Sequence, residues 1–121
     1  MDNKKISTHL SLLKKIIIYE KEEVKIIDQC SIIRVESDRS YSIIYFTNGS
    51  HKVVSRPLLA VDSELSNEMF FRIHRSHLVN MGAIKSISKG CKRVRLLDGS
   101  ILPIAEKKID PLIQSLKEFG Q

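Results

Sequence analysis

Short runs of β-branched and aromatic residues, separated by turn signals, constrain the fold of this chain more than any other feature. In the first half these runs are Lys15 to Tyr19, Val24 to Ile27, Ile32 to Glu36, Tyr41 to Phe46 and His51 to Val54. They are separated by the polar stretches 20–23 and 37–40 and by the dipeptide Asn48-Gly49. Asn and Gly both accept the positive φ of a tight hairpin turn. The pattern predicts a mostly β domain built from many short antiparallel strands.

The second half of the chain continues the strand pattern and adds two helices. Further strands are predicted at Phe70 to Ile73, Ile84 to Ser88, Lys92 to Leu97 and Ile101 to Ala105. A short internal helix is predicted from Pro57 to Leu65, because proline suits the first helical turn and apolar residues follow at helical spacing. A C-terminal helix is predicted from Asp110 to Phe119, with Asp110 as its N-cap and Pro111 at its first position.

Length and composition are those of one globular domain. The chain has 121 residues, of which 42% are hydrophobic and 28% charged, and it shows no internal repeat or linker. We expect an N-terminal tail at residues 1–14 and one folded domain at residues 15–119. A cytoplasmic protein is expected, because no apolar run is long enough for a membrane span or a signal peptide. Cys30 and Cys91 lack the spacing of a zinc or redox motif and suggest reduced thiols.

Positive charge is concentrated in one segment of the chain. From Met69 to Leu97 there are seven Lys or Arg residues and no Asp or Glu, while the whole chain has a net charge of +6. Apolar residues are interspersed with these cations, which favours a folded scaffold over a disordered basic tail. A cationic folded surface attracts polyanions before specific contacts form, so nucleic acid is the first partner to consider.

Residues 72–76 are the leading candidates for direct contact within this basic segment. Arg72 and His74 are expected to share one face of a strand, with Ile73 pointing into the core. Arg75 and Ser76 fall at the end of that strand or in the following turn, where they can reach a partner. An arginine can hold two acceptor atoms of guanine or clamp a phosphate. The alternative is that the arginines are solvated surface charges and that His74 is a structural histidine.

Two other places carry candidate contacts. Arg39, Ser40 and Tyr41 stand in or beside a short polar loop, whose side chains can enter a DNA groove. The alternative is a solvated turn with a half-buried tyrosine. Lys107 and Lys108 follow the last predicted strand, and the alternative there is a solvated helix start. The remaining cations of the basic segment, among them Lys89, Lys92, Arg93 and Arg95, are expected to add a diffuse positive field or a solvated face.

Catalysis and metal binding have little support in the sequence. Ser76 lies between His74 and His77, but no GxSxG motif is present and no third group is placed to orient a Ser-His pair. On a strand, His74 and His77 would face opposite sides and could not share a metal ion, although a helical turn would allow it. None of the five glycines belongs to a phosphate-binding loop. We therefore expect no enzyme activity, no cofactor and no metal site.

The motif around His74 carries a family resemblance. Residues 70–80 read Phe-Phe-Arg-Ile-His-Arg-Ser-His-Leu-Val-Asn. This segment resembles the central signature of the LytTR DNA-binding domain family, F-x-R-I-H-R-S-Y-L-V-N. Other pieces agree in order and spacing: residues 32–37 with Tyr41 resemble the family's strand and first recognition loop, residues 58–65 its short helix, residues 84–87 its next strand and residues 97–104 its closing hairpin. The resemblance covers residues 15 to 118.

This resemblance implies both a fold and a function. The implied fold is mostly β and elongated, with small antiparallel sheets, one short internal helix and a C-terminal helix. The implied function is that of a bacterial transcription regulator, which binds double-stranded promoter DNA through loops in successive major grooves. By position, the DNA-facing residues are Arg39, Ser40, Tyr41, Arg72, His74, Arg75, Ser76 and, in a third segment after Pro103-Ile104, Lys107 and Lys108. Family members generally bind paired direct repeats, so a second copy on the adjacent repeat is an expected partner.

Three departures from the family pattern restrict what the resemblance implies. His77 stands where the family often has Tyr or Phe. Glu106 stands where many members have an arginine that contacts bases. A carboxylate can accept a hydrogen bond from cytosine N4 but repels phosphate, so Lys107 and Lys108 are expected to compensate. Members commonly carry a receiver domain in front, and we expect none in this chain, so its signalling partner is unknown.

Two other functions stay open at this point. The chain could be a protein-interaction module that has lost DNA binding, an alternative that the change at Glu106 favours. It could instead bind RNA. Aromatic residues make up only 6% of the chain and tryptophan is absent, which leaves few side chains on which unpaired bases could stack.

Overall fold

The computed structural model describes residues 14–120, and this part of the chain contains ten strands and two α-helices. The strands are β1 (Lys15–Tyr19), β2 (Val24–Asp28), β3 (Ile32–Asp38), β4 (Tyr41–Phe46), β5 (His51–Val54), β6 (Phe70–His74), β7 (His77–Asn80), β8 (Ile84–Ile87), β9 (Arg93–Leu96) and β10 (Ile101–Pro103). The helices are α1 (Leu58–Glu64) and α2 (Ile109–Glu118). The predicted tail, residues 1–14, lies outside the described residues except for Lys14.

The strands form three antiparallel sheets. β1 and β2 form a hairpin, β8 to β10 form a three-stranded sheet, and the central five-stranded sheet has the order β5-β4-β3-β7-β6. Neighbours in these sheets are consecutive in the chain except at the β3–β7 contact, where Val35 pairs with Leu78. Between β5 and β6 the chain passes through α1, and it returns at the opposite edge of the central sheet.

Apolar side chains on both faces of the central sheet form the core. Leu78 and Val79 are neighbours on β7 and both are fully buried, but they belong to different hydrophobic clusters. The β1–β2 hairpin and α1 pack on the Leu78 face, while the three-stranded sheet and α2 pack on the Val79 face. Burying one such side chain contributes about 1.5–3 kcal/mol. β7 is therefore fixed from both sides, and a slip in its register would expose one cluster.

The fold class predicted from the sequence is confirmed: the protein is mostly β, with small antiparallel sheets, one short internal helix and a C-terminal helix. β1, β4 and β5 have the predicted bounds. The predicted loop at residues 37–40 is wrong. β3 continues through Ser37 and Asp38, which pair with β4, and only Arg39 and Ser40 remain in the turn.

Each helix starts within one residue of its predicted position, but the roles predicted for Pro57 and Asp110 are wrong. Pro57 has an extended backbone, with φ −67° and ψ 158°, and precedes α1 as its N-cap instead of lying in its first turn. α2 begins at Ile109, so Asp110 lies inside the first turn, and the capping position is held by Lys108 without a side-chain hydrogen bond. An aspartate in a first turn still interacts favourably with the positive end of the helix dipole.

Candidate nucleic-acid interface

Two hairpin turns lie side by side at one end of the central sheet. β3 and β7 run antiparallel with Glu36 opposite His77, so the turn after β3 and the turn before β7 point the same way. The Ser37 N–H donates a hydrogen bond to the Ser76 carbonyl at 3.0 Å, which joins the two turns. The fold therefore brings together the first two segments predicted to contact DNA.

A third segment reaches the same place after β10. The Ala105 N–H donates to the Ile73 carbonyl at 2.8 Å, and this bond holds the following 3₁₀ turn, Glu106–Lys108, against the end of β6. One depression is lined by Arg72, His74, Arg75, Ala105, Glu106, Lys107 and Lys108. We call the surface formed by residues 39–40, 75–76 and 106–108 the loop end.

The β3–β4 turn presents an arginine in a strained conformation. Arg39 has φ 58°, in the left-handed region that costs a residue with a side chain about 1–2 kcal/mol. Its side chain is exposed and has no hydrogen bond or ion pair among the described residues. Tyr41 stands at the foot of the same turn with 47% of its surface exposed. Both side chains are accessible to a partner, and the half-buried Tyr41 also fits the alternative of a solvated turn.

The β6–β7 turn is held from inside by Arg72. The Arg72 Nε donates to the His74 carbonyl at 3.2 Å and its Nη2 donates to the Arg75 carbonyl at 2.5 Å. Its Nη1 lies 3.8 Å from a carboxylate oxygen of Asp62 on α1. These contacts occupy much of the guanidinium. The main role of the Arg72 side chain is therefore to stabilise the turn, and little of it is free to contact a partner.

His74 contributes a second internal contact to this turn. Its Nδ1 accepts a hydrogen bond from the Ser76 N–H at 3.1 Å, which requires an unprotonated Nδ1. The Arg75 side chain, by contrast, is exposed and has no hydrogen bond or ion pair among residues 14–120. The turn therefore presents one free guanidinium on a backbone that its neighbours hold in place.

The predicted relation between the two histidines is wrong. A β-bulge between Arg72 and His74 breaks the simple alternation of β6, so that Arg72 lies opposite Leu78 and His74 lies opposite His77. The two imidazole rings face each other across the hairpin, with centroids 5.5 Å apart. Because of the bulge, and contrary to expectation, Arg72 and His74 do not lie on one face through simple alternation. Ile73 is fully buried, as predicted.

A charged cluster that was missed from the sequence lies behind the loop end. The Arg34 Nη1 donates to Glu36 Oε1 at 3.1 Å, and the same oxygen lies 3.5 Å from His77 Nδ1. The guanidinium carbon of Arg34 lies 3.8 Å from the centroid of the Tyr45 ring, a cation–π contact. The alternation of Arg34 and Glu36 on one strand was a visible signal, but the pairing of β3 with β7 was not.

Burial dominates the protonation of His77. It lowers the pKa of His77 below the ordinary value of 6.5, the Glu36 carboxylate opposes that shift, and His74 and Arg34 add to it. His77 is therefore neutral at pH 7. Two buried nitrogens, Arg34 Nε and His77 Nδ1, have no hydrogen-bond partner among the described residues.

Other kinds of site find little support in the described part of the chain. Among residues 14–120 no group of three or more His, Cys, Asp or Glu side chains is placed to hold a metal ion. No helix in this range is long and apolar enough to cross a membrane.

Comparison with known proteins decides the family. Residues 22–117 match the model of the LytTr DNA-binding domain. The chain belongs to the LytTR family. Among solved structures, it is similar to the LytTr DNA-binding domain of a protein from Bacillus cereus described as a methyl-accepting/DNA response regulator. That match has 15% sequence identity and a TM-score of 0.66, and it covers 88% of this chain and 98% of the other.

No curated protein matches the sequence. Membership of the LytTR family supports a DNA-binding regulator with DNA as its partner. It is a family of DNA-binding domains and lends no support to catalysis. The structural match, at its low identity, confirms the fold alone.

Proposed function

We propose that this LytTR protein is a transcription regulator that reads specific double-stranded promoter DNA through the three segments of its loop end. The observation that carries the proposal is the free guanidinium of Arg75 on a turn held by Arg72 and His74, beside the turn of Arg39 and the segment of Lys107 and Lys108. A turn that is already ordered loses little conformational entropy when it binds.

The three segments of the loop end contribute differently to DNA affinity and to base choice. Lys107 and Lys108 bind phosphates, which contribute most of the affinity and make it dependent on salt. Arg75 contacts guanine or an adjacent phosphate, and the residues around Tyr41 contribute base choice in the neighbouring groove. Glu106 lies in the same depression, where its carboxylate accepts from cytosine N4 and discriminates against direct phosphate contact.

The working species has two copies of the chain on paired direct repeats. Each copy contributes one DNA-binding domain, residues 15–119. When the two bound copies contact each other, binding of the first raises the effective concentration of the second and sharpens selectivity for promoters that carry both repeats.

Selection from a library of random duplex DNA, followed by equilibrium binding of the enriched sequence across a salt series, tests this function. We expect Arg75→Ala to bind the enriched duplex about 10–100-fold more weakly, since one bidentate contact contributes roughly 1–3 kcal/mol. Lys21→Ala, which removes an exposed cation from the β1–β2 turn, is the matched control and is expected to bind like the parent. Affinity that does not change with salt, or an Arg75→Ala variant that binds as well as the parent, contradicts the proposal.

One observation favours the protein-interaction alternative. The outer face of the β1–β2 hairpin carries two cross-strand apolar pairs, Ile17 with Ile26 and Tyr19 with Val24, and all four side chains are exposed. Exposed apolar groups on neighbouring positions are typical of protein contact surfaces. A partner that co-purifies with the chain, while no duplex is enriched, would establish this function instead. Competition between duplex DNA and single-stranded RNA distinguishes the RNA-binding alternative.

A further inference from the structure

The outward face of the three-stranded sheet presents a row of cations. On β9, Val94 and Leu96 are fully buried against the core, while Arg93 and Arg95 point outward and are exposed. Arg95 pairs with Ser86 on β8 and with Ile101 on β10, so both arginines lie along the central strand of this sheet.

Hydrogen bonds place the tip of the β8–β9 hairpin beside the loop end. The Ile104 N–H donates to the Lys92 carbonyl at 2.9 Å, and the next N–H, from Ala105, donates to the Ile73 carbonyl at 2.8 Å. Lys92 therefore adjoins the segment that leads directly into the 3₁₀ turn at residues 106–108. Arg93, which pairs with Pro103, is the next cation away from the loop end, and Arg95 lies farther along the strand.

The charges of this hairpin are not neutralised. Its cations are Lys85, Lys89, Lys92, Arg93 and Arg95, and within the described range none of them has an ion pair. Of the cations near the β1–β2 hairpin and α1, Lys15 is paired with Asp28, Lys52 with Glu20 and Arg56 with Glu64, whereas Lys14 and Lys21 are exposed and have no ion pair among residues 14–120. The hairpin belongs to the acid-free segment 69–97, and the hydrogen bonds of Ile104 and Ala105 bring its tip close to the end of β6.

We propose that the β8–β9 hairpin is a fourth DNA-contacting element, which binds the phosphates that flank the sequence read by the loop end. This inference rests on the proposed function. The partner is the backbone of the same duplex, because the hairpin is cationic, exposed, and continuous with the loop end. Its contacts are independent of base sequence, since the hairpin tip carries flexible lysines and its two arginines lie on a sheet face. Lys92 and Arg93 contribute most, because they lie nearest to the 3₁₀ turn.

The test compares two double variants of the full chain. Lys92→Gln with Arg93→Gln removes two charges at the hairpin tip, and Lys14→Gln with Lys21→Gln removes two exposed charges elsewhere. Each protein is titrated across a salt series with the duplex enriched by the parent and with a scrambled duplex. For the tip variant we expect the slope of log K against log salt to be smaller by about 1.8, from roughly 0.9 for each phosphate contact. Both duplexes should be weakened by the same factor, and the enriched sequence should stay the same.

The outcomes separate this inference from the function on which it rests. If the parent enriches no duplex, the proposed function fails. If the parent enriches a sequence but the tip variant has the salt slope of the control, only the fourth contact is overturned. A loss confined to the enriched duplex would also overturn it, because that result indicates base reading. Thermal unfolding of both variants, expected to match the parent, shows that the fold is intact.

Discussion

At the scale of single residues, the loop end separates side chains that build a turn from side chains that are free to bind. Arg72 and Arg75 are three residues apart and chemically identical. Arg72 donates to two carbonyls of its own turn, whereas the Arg75 side chain has no partner among the described residues. The motif of residues 70–80 predicted that both contact DNA, and it contained no signal that distinguishes their roles.

Replacing Arg72 should affect the stability of the protein as well as its binding. Arg72→Met keeps most of the aliphatic side chain but removes both hydrogen bonds to the turn. We expect the free energy of unfolding to fall by about 1–3 kcal/mol and DNA affinity to fall with it. Urea unfolding and DNA titration measure the two effects. Arg75→Ala is the contrasting variant, with weaker binding and unchanged stability. Equal stability of Arg72→Met and the parent would contradict the role in building the turn.

His77 should make stability depend on pH. Because burial lowers its pKa in the folded state below the ordinary 6.5, the unfolded chain binds its proton more readily. Stability is therefore complete above about pH 6.5 and decreases as the pH falls from there toward the lower folded pKa, below which the loss levels off. His77→Phe removes this titration. Urea unfolding at pH 7.5 and pH 5.5 should show a smaller loss for His77→Phe than for the parent, and equal losses would contradict the prediction.

At the scale of elements, the sequence predicted the strands well where residue type alone determines their bounds. β1, β4 and β5 have their predicted bounds because runs of β-branched and aromatic residues end at strong turn signals. The β3–β4 turn was misjudged because Arg39 takes a positive φ that usually indicates Gly or Asn. The bulge in β6 occurs in its pairing with β7, and the Arg34–Glu36–His77 cluster depends on the non-consecutive β3–β7 pairing. A local sequence pattern does not show which strands pair, so neither feature could be predicted from it.

The strained turn leads to a prediction about this hairpin as an element. Arg39→Asn keeps a polar side chain but accepts the left-handed conformation more readily. We expect the free energy of unfolding to stay the same or to rise by up to about 1 kcal/mol, while the affinity for the enriched duplex falls. Denaturant unfolding and DNA titration report these opposite changes. Asp38→Asn, in the same hairpin but not at the strained position, serves as the control for stability. A variant that binds DNA as well as the parent would show that Arg39 does not contact it.

At the scale of the whole molecule, the faces of the domain differ in charge and in polarity. Among residues 14–120, no ion pair involves the cations of the loop end or of the outward face of β9. The β1–β2 hairpin instead combines an outer apolar face with the acidic turn of Glu20, Glu22 and Glu23. DNA attracts the first surface and repels the acidic turn. The domain should therefore approach a duplex in one orientation, and two copies on direct repeats should face the same way along the DNA.

If both copies bind in one orientation, changing the spacing between the repeats tests whether the two copies act together. Two copies that act together need a fixed rotational relation, which is set by the helical repeat of about 10.5 base pairs. Inserting 5 base pairs between the repeats turns one site about half a turn away, and inserting 10 nearly restores it. We expect cooperative binding of the second copy to be lost with 5 and largely recovered with 10, as measured by footprint occupancy against protein concentration. If both insertions bind like the parent spacing, the two copies bind independently, and a single repeat is the unit that the protein recognises.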